Sequence, residues 1–241
     1  MEKFSLYDFL GLLLPGVLFL FFMNLIFSMT GVDITQFSAS DRILDLGLAF
    51  CLAIFAGAVF YTCNFYLIKR KWYNCIFGMY RDVNELFRSF ESSYETMRLT
   101  LNKKAKSWYG EEIFQSLTQQ NDNNNINSTK LARLQSDFYD RMYYELEYNE
   151  KIETPKTMQS FYFFFRQTAL ACATLITIIS FLMILSLLNL KGFATITQDL
   201  LAIAFGVFVL LLISVKLARW FRRQMVFKMY WMFFTHIKNE K

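Results

Sequence analysis

Apolar residues run almost unbroken in four stretches of the chain, and between the second and third they settle into a three- and four-residue rhythm. The unbroken runs cover roughly 9–28, 46–68, 168–190 and 197–215. Each reaches the ~20 residues that a helix needs to cross hydrocarbon. The third, TALACATLITIISFLMILSLLNL (168–190), holds no charge at all. The first is too long for the apolar core of a signal peptide, has only Lys3 before it and is followed by no prompt small-x-small site, so the pattern predicts a retained span.

The rhythmic section begins at Trp72. Ile76, Met79, Val83, Leu86, Phe90, Tyr94, Met97 and Leu101 recur with charged and hydroxyl residues between them, the signature of an amphipathic helix. Up to residue 106 only Gly78 interrupts this pattern. The reading is a second span that runs straight on beyond the membrane, residues 72–106 adding about 50 Å. Leu131, Leu134, Phe138, Met142, Leu146 and Ile152 repeat the spacing on a returning helix that Ser128 or Thr129 can cap. Between them QSLTQQNDNNNINST (115–129) buries nothing and predicts a polar tip. ETPK (153–156) ends the return, and Pro155 fits the first turn of a new helix. FYFFFR (161–166) puts an aromatic cluster before the third span.

The fold class expected is therefore an all-α membrane protein with four transmembrane helices in a 2+2 arrangement. A long cytoplasmic, coiled-coil-like helical hairpin lies between spans 2 and 3. The organisation is 1–71 for the first pair, 72–156 for the hairpin, and 157–241 for the second pair with its basic aromatic tail. Small residues at four-residue steps (Ala49, Ala53, Gly57; Ala169, Ala173, Thr177; Ala202, Gly206) predict close packing of spans, with some stripes left for partner subunits.

Charge adds direction. The net charge of +5 is not spread evenly. Lys69, Arg70 and Lys71 follow span 2, and Lys216, Arg219, Arg222, Arg223 and Lys228 follow span 4, whereas the connections 29–45 and 191–196 hold only Arg42 and Lys191. The excess of Lys and Arg on one side predicts a multi-pass membrane protein with both termini and the insert cytoplasmic. Arg219, Arg222, Arg223 and Lys228 are the expected membrane-surface cations, facing anionic lipid heads.

Composition, 55% hydrophobic and 19% aromatic, agrees with the spans and narrows the chemistry. There is one histidine, His236, and none of the motifs of zinc hydrolases, nucleophile elbows, phosphate-binding loops or dinucleotide folds. Cys51, Cys63, Cys75 and Cys172 form no C-x-x-C pair. No carboxylate lies deep inside a span, and the nearest candidates, Asp8 and Asp45, stand at the membrane edges. No enzyme, metal or cofactor is expected. The polar groups within spans, Asn24, Thr62, Asn64 and the row Thr174, Thr177, Ser180, read as interhelical hydrogen bonds.

Two candidate sites remain. NKKAKSWYG (102–110) sets Lys103, Lys104 and Lys106 beside Trp108, a combination that holds an anionic ligand bearing bases by charge and stacking. Its plainer reading is a lysine-rich helix end favoured by the dipole. Pro15 and Gly16, mid-depth in the first span with Asn24 toward its end, predict a bend that either lines or gates a path or is merely tolerated. The tail 216–238 either lies in the membrane interface or extends span 4 and packs on the hairpin.

The opening YDFLGLLLPG (7–16), the two-plus-two spans and the coiled-coil-like insert together resemble small four-span membrane effectors of bacterial anti-phage defence loci. The resemblance is one of architecture and carries no functional residue across. It implies a homo-oligomer, of about four subunits on symmetry grounds, that forms a gated ion-conducting pore. A cytoplasmic protein or a nucleotide or oligonucleotide regulator would control it. The alternative from another class is a non-conducting membrane adaptor or sensor whose hairpin recruits a soluble partner.

Overall fold

The computed structural model describes residues 9–29, 42–77, 95–110, 125–187 and 198–239. All elements among them are helical: a π-helical turn Phe9–Leu13 leading into α1 (Leu14–Met29), α2 (Arg42–Leu67), α3 (Lys71–Phe77), α4 (Glu95–Tyr109), α5 (Asn125–Tyr148), α6 (Glu153–Leu187) and α7 (Gln198–Asn239). Four helices are long and apolar enough to cross a membrane, with spans within Phe9–Ser28, Gly47–Leu67, Glu153–Ser186 and Leu200–Asn239. The chain divides into two compact units, one of residues 1–78 with 157–222, the other of 79–156 with 223–241.

Local chemistry explains the ends. Pro15 cannot donate to the carbonyl four residues back, and the turn immediately before it is the wider π type, which relieves the ring's clash with that carbonyl. The second span does not run on as expected. It stops at Leu67, where Lys69 N bonds Tyr66 O and Arg70 N bonds Leu67 O in tightened three-residue turns, before α3 restarts at Lys71. Three consecutive cations at this C-terminus meet the carbonyl end of the dipole, which favours termination there. Residues 78–94 and 111–124, which include most of the expected long arm and polar tip, lie outside the described residues.

The return helix starts at Asn125, so Ser128 and Thr129 lie inside it rather than capping it. It also ends before ETPK. Glu150 adopts a left-handed φ of 55°, Lys151 N bonds Leu146 O at 2.9 Å and Glu150 N bonds Glu147 O at 3.0 Å, a Schellman cap made without glycine. Pro155 then falls in the first turn of α6, where its missing N–H costs nothing. The basic aromatic tail, left open between two readings, continues the fourth span as one helix.

In the first unit the core joins Ile26 of α1, Cys172, Leu175 and Ile179 of α6, and Leu200 and Val207 of α7, with Phe19, Phe22 and Met23 packed against it. The helices α1 and α2 touch backbone to backbone. A Cβ on Gly16 would strike the carbonyl of Ala53, and one on Gly57 would strike the carbonyl of Leu12. This is the use of the Ala53–Gly57 stripe; Ala202 and Gly206 are instead exposed.

In the second unit Met97, Leu101 and Ala105 of α4, Met142 and Leu146 of α5, and Met229, Tyr230 and Phe233 of α7 are buried. The rhythm of the insert thus finds the tail as a third packing element.

Candidate functional site: buried polar groups in the helices of the first unit

On α2, α6 and α7 the buried positions include polar side chains toward the basic ends of the helices, the α2 stripe facing α1. On α2 the buried positions Ala53, Gly57, Phe60 and Asn64 follow steps of four, three and four. On α6 Ile179, Leu175 and Cys172 lead back to Thr168, with Gln167 beside it; on α7 Leu200 and Val207 lead to Ser214 and Ala218. α3, just after α2, meets α7. Arg219 Nε donates to the Ile76 carbonyl, and Tyr73 feels the charge of Arg166.

Asn64 and Gln167 are fully buried, and Thr168 and Ser214 are nearly so. Asn64 Nδ2 donates to Phe60 O at 3.0 Å, but Asn64 Oδ1, both amide atoms of Gln167, Thr168 Oγ1, Ser214 Oγ and Tyr73 Oη have no protein partner. Leaving one such group bare costs roughly 1–3 kcal/mol. All six atoms belong to the first unit, where water or a ligand can satisfy them.

The same ends of α6 and α7 carry cations and rings in contact. The Arg166 side chain, 2% exposed, donates to Tyr162 Oη at 3.3 Å and lies 4.6 Å from the Phe163 ring centre. Arg222 sits 5.9 Å from the Tyr162 ring, and Phe221 stacks on Phe161 and Phe165. Burial pushes the Tyr73 hydroxyl above its ordinary pKa, with Arg166 opposing, so it stays a neutral hydroxyl. Lys69, Arg70, Lys71, Arg166, Lys216, Arg219 and Arg222 all belong to this end. The acids among the described residues of the unit are Asp45 and Asp199, at the far ends of their helices, about 28 Å from Asn64 and 22 Å from Ser214 along the axes.

The expected sites fare differently. Gly16 lies in the α1–α2 contact beside Pro15, and Asn24 is exposed on α1, away from the core. Thr62, Thr174 and Thr177 bond the carbonyls of Ala58, Leu170 and Ala173 within their own helices, not between helices, because a threonine hydroxyl reaches the carbonyl four residues back more easily than a neighbour. In the second unit Trp108 has the rings of Phe138 at 5.6 Å and Phe233 at 5.7 Å, with Arg141 at 4.3 Å and Lys104 at 5.4 Å from its centre. Lys103 is exposed and Lys106 half-buried. Of the surface cations, Arg219 and Arg223 are exposed, Arg222 and Lys228 half-buried.

His236, which looked isolated in the sequence, is buried with Lys151 Nζ 3.0 Å from Nδ1 and Glu145 Oε1 3.8 Å from Nε2. Asn149 Nδ2 also lies 3.4 Å from Nε2, so both ring nitrogens have polar neighbours. Sequence reasoning missed Gln167, Thr168 and Ser214. The trio Arg166-Gln167-Thr168 at the head of an apolar run was the available signal, read only as a membrane boundary. Compared with known protein families, curated proteins and solved structures, the chain gives no significant match.

Proposed function

We propose that the protein is an oligomeric membrane effector that forms a gated ion-conducting path. The observation that carries this reading is that Asn64, Gln167, Thr168 and Ser214, all in membrane-length helices, are buried with polar atoms that have no protein partner. A plain anchor gains nothing from such groups in hydrocarbon, whereas a water-lined segment of a path satisfies them. The core cluster of the first unit is apolar, so closure is a hydrophobic constriction that dewets. The topology proposed is 2+2, with the basic ends of the spans and the second unit on the cytoplasmic side of a bacterial inner membrane. A ligand or protein acting on the second unit controls opening, in keeping with the architectural likeness to anti-phage effectors.

Ion flux from proteoliposomes holding the full-length protein, with and without oligonucleotides or cell extract, tests this. Flux that depends on the protein and falls with a Gln167→Leu change supports it. Vesicles that stay tight under every addition overturn it. The adaptor reading draws on the exposed Tyr144 and Tyr148, one turn apart on α5. A soluble partner lost on Tyr144→Ala/Tyr148→Ala, with tight vesicles, moves the assignment there.

A further inference from the structure

Among the basic residues that follow the spans, one is set apart by what holds it. We infer that Arg219, with α3 as its support, binds the phosphate of an anionic phospholipid in the leaflet at the basic ends of the spans. The inference concerns the lipid surface and does not depend on conduction.

The first argument is α3 itself. It has only seven residues (Lys71–Phe77), too few to hold a helix alone in water, and from Trp72 to Tyr80 the chain carries no charge. Its inner face is Tyr73 and Phe77, both buried, with ring centres 4.8 Å apart. Its outer face is apolar as well: Trp72 is 57% exposed, and Cys75 and Ile76 are exposed one turn on. A short helix that shows tryptophan and isoleucine outward, directly after Lys69-Arg70-Lys71, fits the head-group boundary of a bilayer rather than open water. The end of α2 has the same character. Phe65 and Tyr66 are exposed there, with Lys69 Nζ 5.4 and 5.9 Å from their ring centres.

Depth is the second argument. Gly47–Leu67 makes about 30 Å of helix, and α7 rises about 28 Å from Leu200 to Arg219. Each is close to the ~30 Å of a bilayer's hydrocarbon. Both lengths run out near one junction, where Arg219 Nε donates to the Ile76 carbonyl. Lys216, an exposed residue one turn deeper, reaches the same level along its stem. Trp220, 50% exposed beside Arg219, stands where an interfacial indole belongs.

The guanidinium is the third. Its Nε is engaged by Ile76, which orients the group, and its other four N–H lie on the two Nη atoms of an exposed side chain. That fork matches phosphate oxygens. The unit's described carboxylates, Asp45 and Asp199, stand at the far ends of their helices. Arg222, three residues on, is held inward instead, half-buried and 5.9 Å from the Tyr162 ring. The expected surface cations thus divide, and Arg219 is the one presented to lipid on a fixed support.

Thermal unfolding of the purified full-length chain in detergent tests this. Phosphatidylglycerol is compared with phosphatidylcholine at equal lipid content, and glycerol phosphate in water is the soluble source of the same group. The expected result is a saturable rise in Tm with phosphatidylglycerol, beyond that with phosphatidylcholine by roughly 5 °C at about a hundredfold excess over the dissociation constant. Arg219→Gln removes the difference, and Lys238→Gln, at an exposed cation near the far end of α7, keeps it. An equal rise with both lipids, or a difference that survives Arg219→Gln, overturns the site. A rise with glycerol phosphate alone does so too, since the ligand is then a soluble phosphate. If Arg219→Gln does not fold, brominated lipids read the unaltered chain. Bromine on phosphatidylglycerol must then quench tryptophan fluorescence more than the same bromine on phosphatidylcholine, and equal quenching sinks the site. Vesicles that stay tight leave a measured lipid preference standing, and flux without any lipid preference removes the lipid site alone.

Discussion

The two units of this protein treat polar atoms inside an apolar setting in opposite ways. The second unit pairs them: His236 is met by Lys151 and Glu145, Lys156 donates to Glu147 at 2.6 Å, and the cations Lys104 and Arg141 lie over Trp108. The first unit leaves Asn64 Oδ1, Gln167, Thr168 and Ser214 bare among some of its most deeply buried residues. A scaffold satisfies its polar groups because each orphan is costly; a site keeps them open for something that arrives. The contrast separates a structural unit from a candidate path without any motif to guide it.

The comparison can be broken hardest in the second unit. Phe233 is fully buried and packs on Trp108 and Phe138, so Phe233→Ala is expected to cost about 3–5 kcal/mol. Hydrogen exchange should then show protection lost in 95–109 and 125–148 while 168–187 stays protected. Loss of protection everywhere would mean that the two units do not fold separately. In the first unit Gly57→Leu drives a side chain into the α1 backbone at Leu12, at a cost of about 3 kcal/mol. The folded yield in detergent should collapse, and Gly206→Leu, at an open position, should leave it unchanged.

Thr168→Val sharpens the difference in sign. Replacing a bare buried hydroxyl by a methyl should stabilise the protein by about 1 kcal/mol while reducing flux, whereas a structural hydroxyl would show a loss of stability on the same change. The smallest effect concerns pH. Burial first, and the neighbouring Asp137 second, raise the pKa of the Asp140 carboxyl, so the folded state holds its proton more tightly than the unfolded chain. That contribution to stability is full below the ordinary carboxylate pKa and is lost as pH rises through the raised value. Asp140→Asn should therefore gain a fraction of a kcal/mol at neutral pH and flatten the pH dependence, read by Tm between pH 3 and about 7.

Much of the helical layout could be read from the chain. The four apolar runs are the four membrane-length helices, and Met97, Leu101, Phe138, Met142 and Leu146 occupy the apolar stripes their spacing implied. The breaks were harder. The stop at Leu67 rests on three cations and a tightened turn rather than on Gly or Pro, and the cap at Glu150 uses a left-handed residue that composition does not flag. Ala53 and Gly57 were legible as a packing stripe, but their partner Gly16 had been read only as part of a bend.

By itself the sequence determined the class of the molecule: long apolar runs admit only spanning helices, because hydrocarbon leaves backbone polar groups no other partner. It also determined which ends of the spans are basic. Tertiary structure decided which side chains share an interior. Asn64, Gln167 and Ser214 stand 103 and 47 residues apart along the chain, and no local rhythm marks them as buried. Only the packing of the helices takes them out of contact with solvent, and only burial makes an unpaired amide or hydroxyl costly.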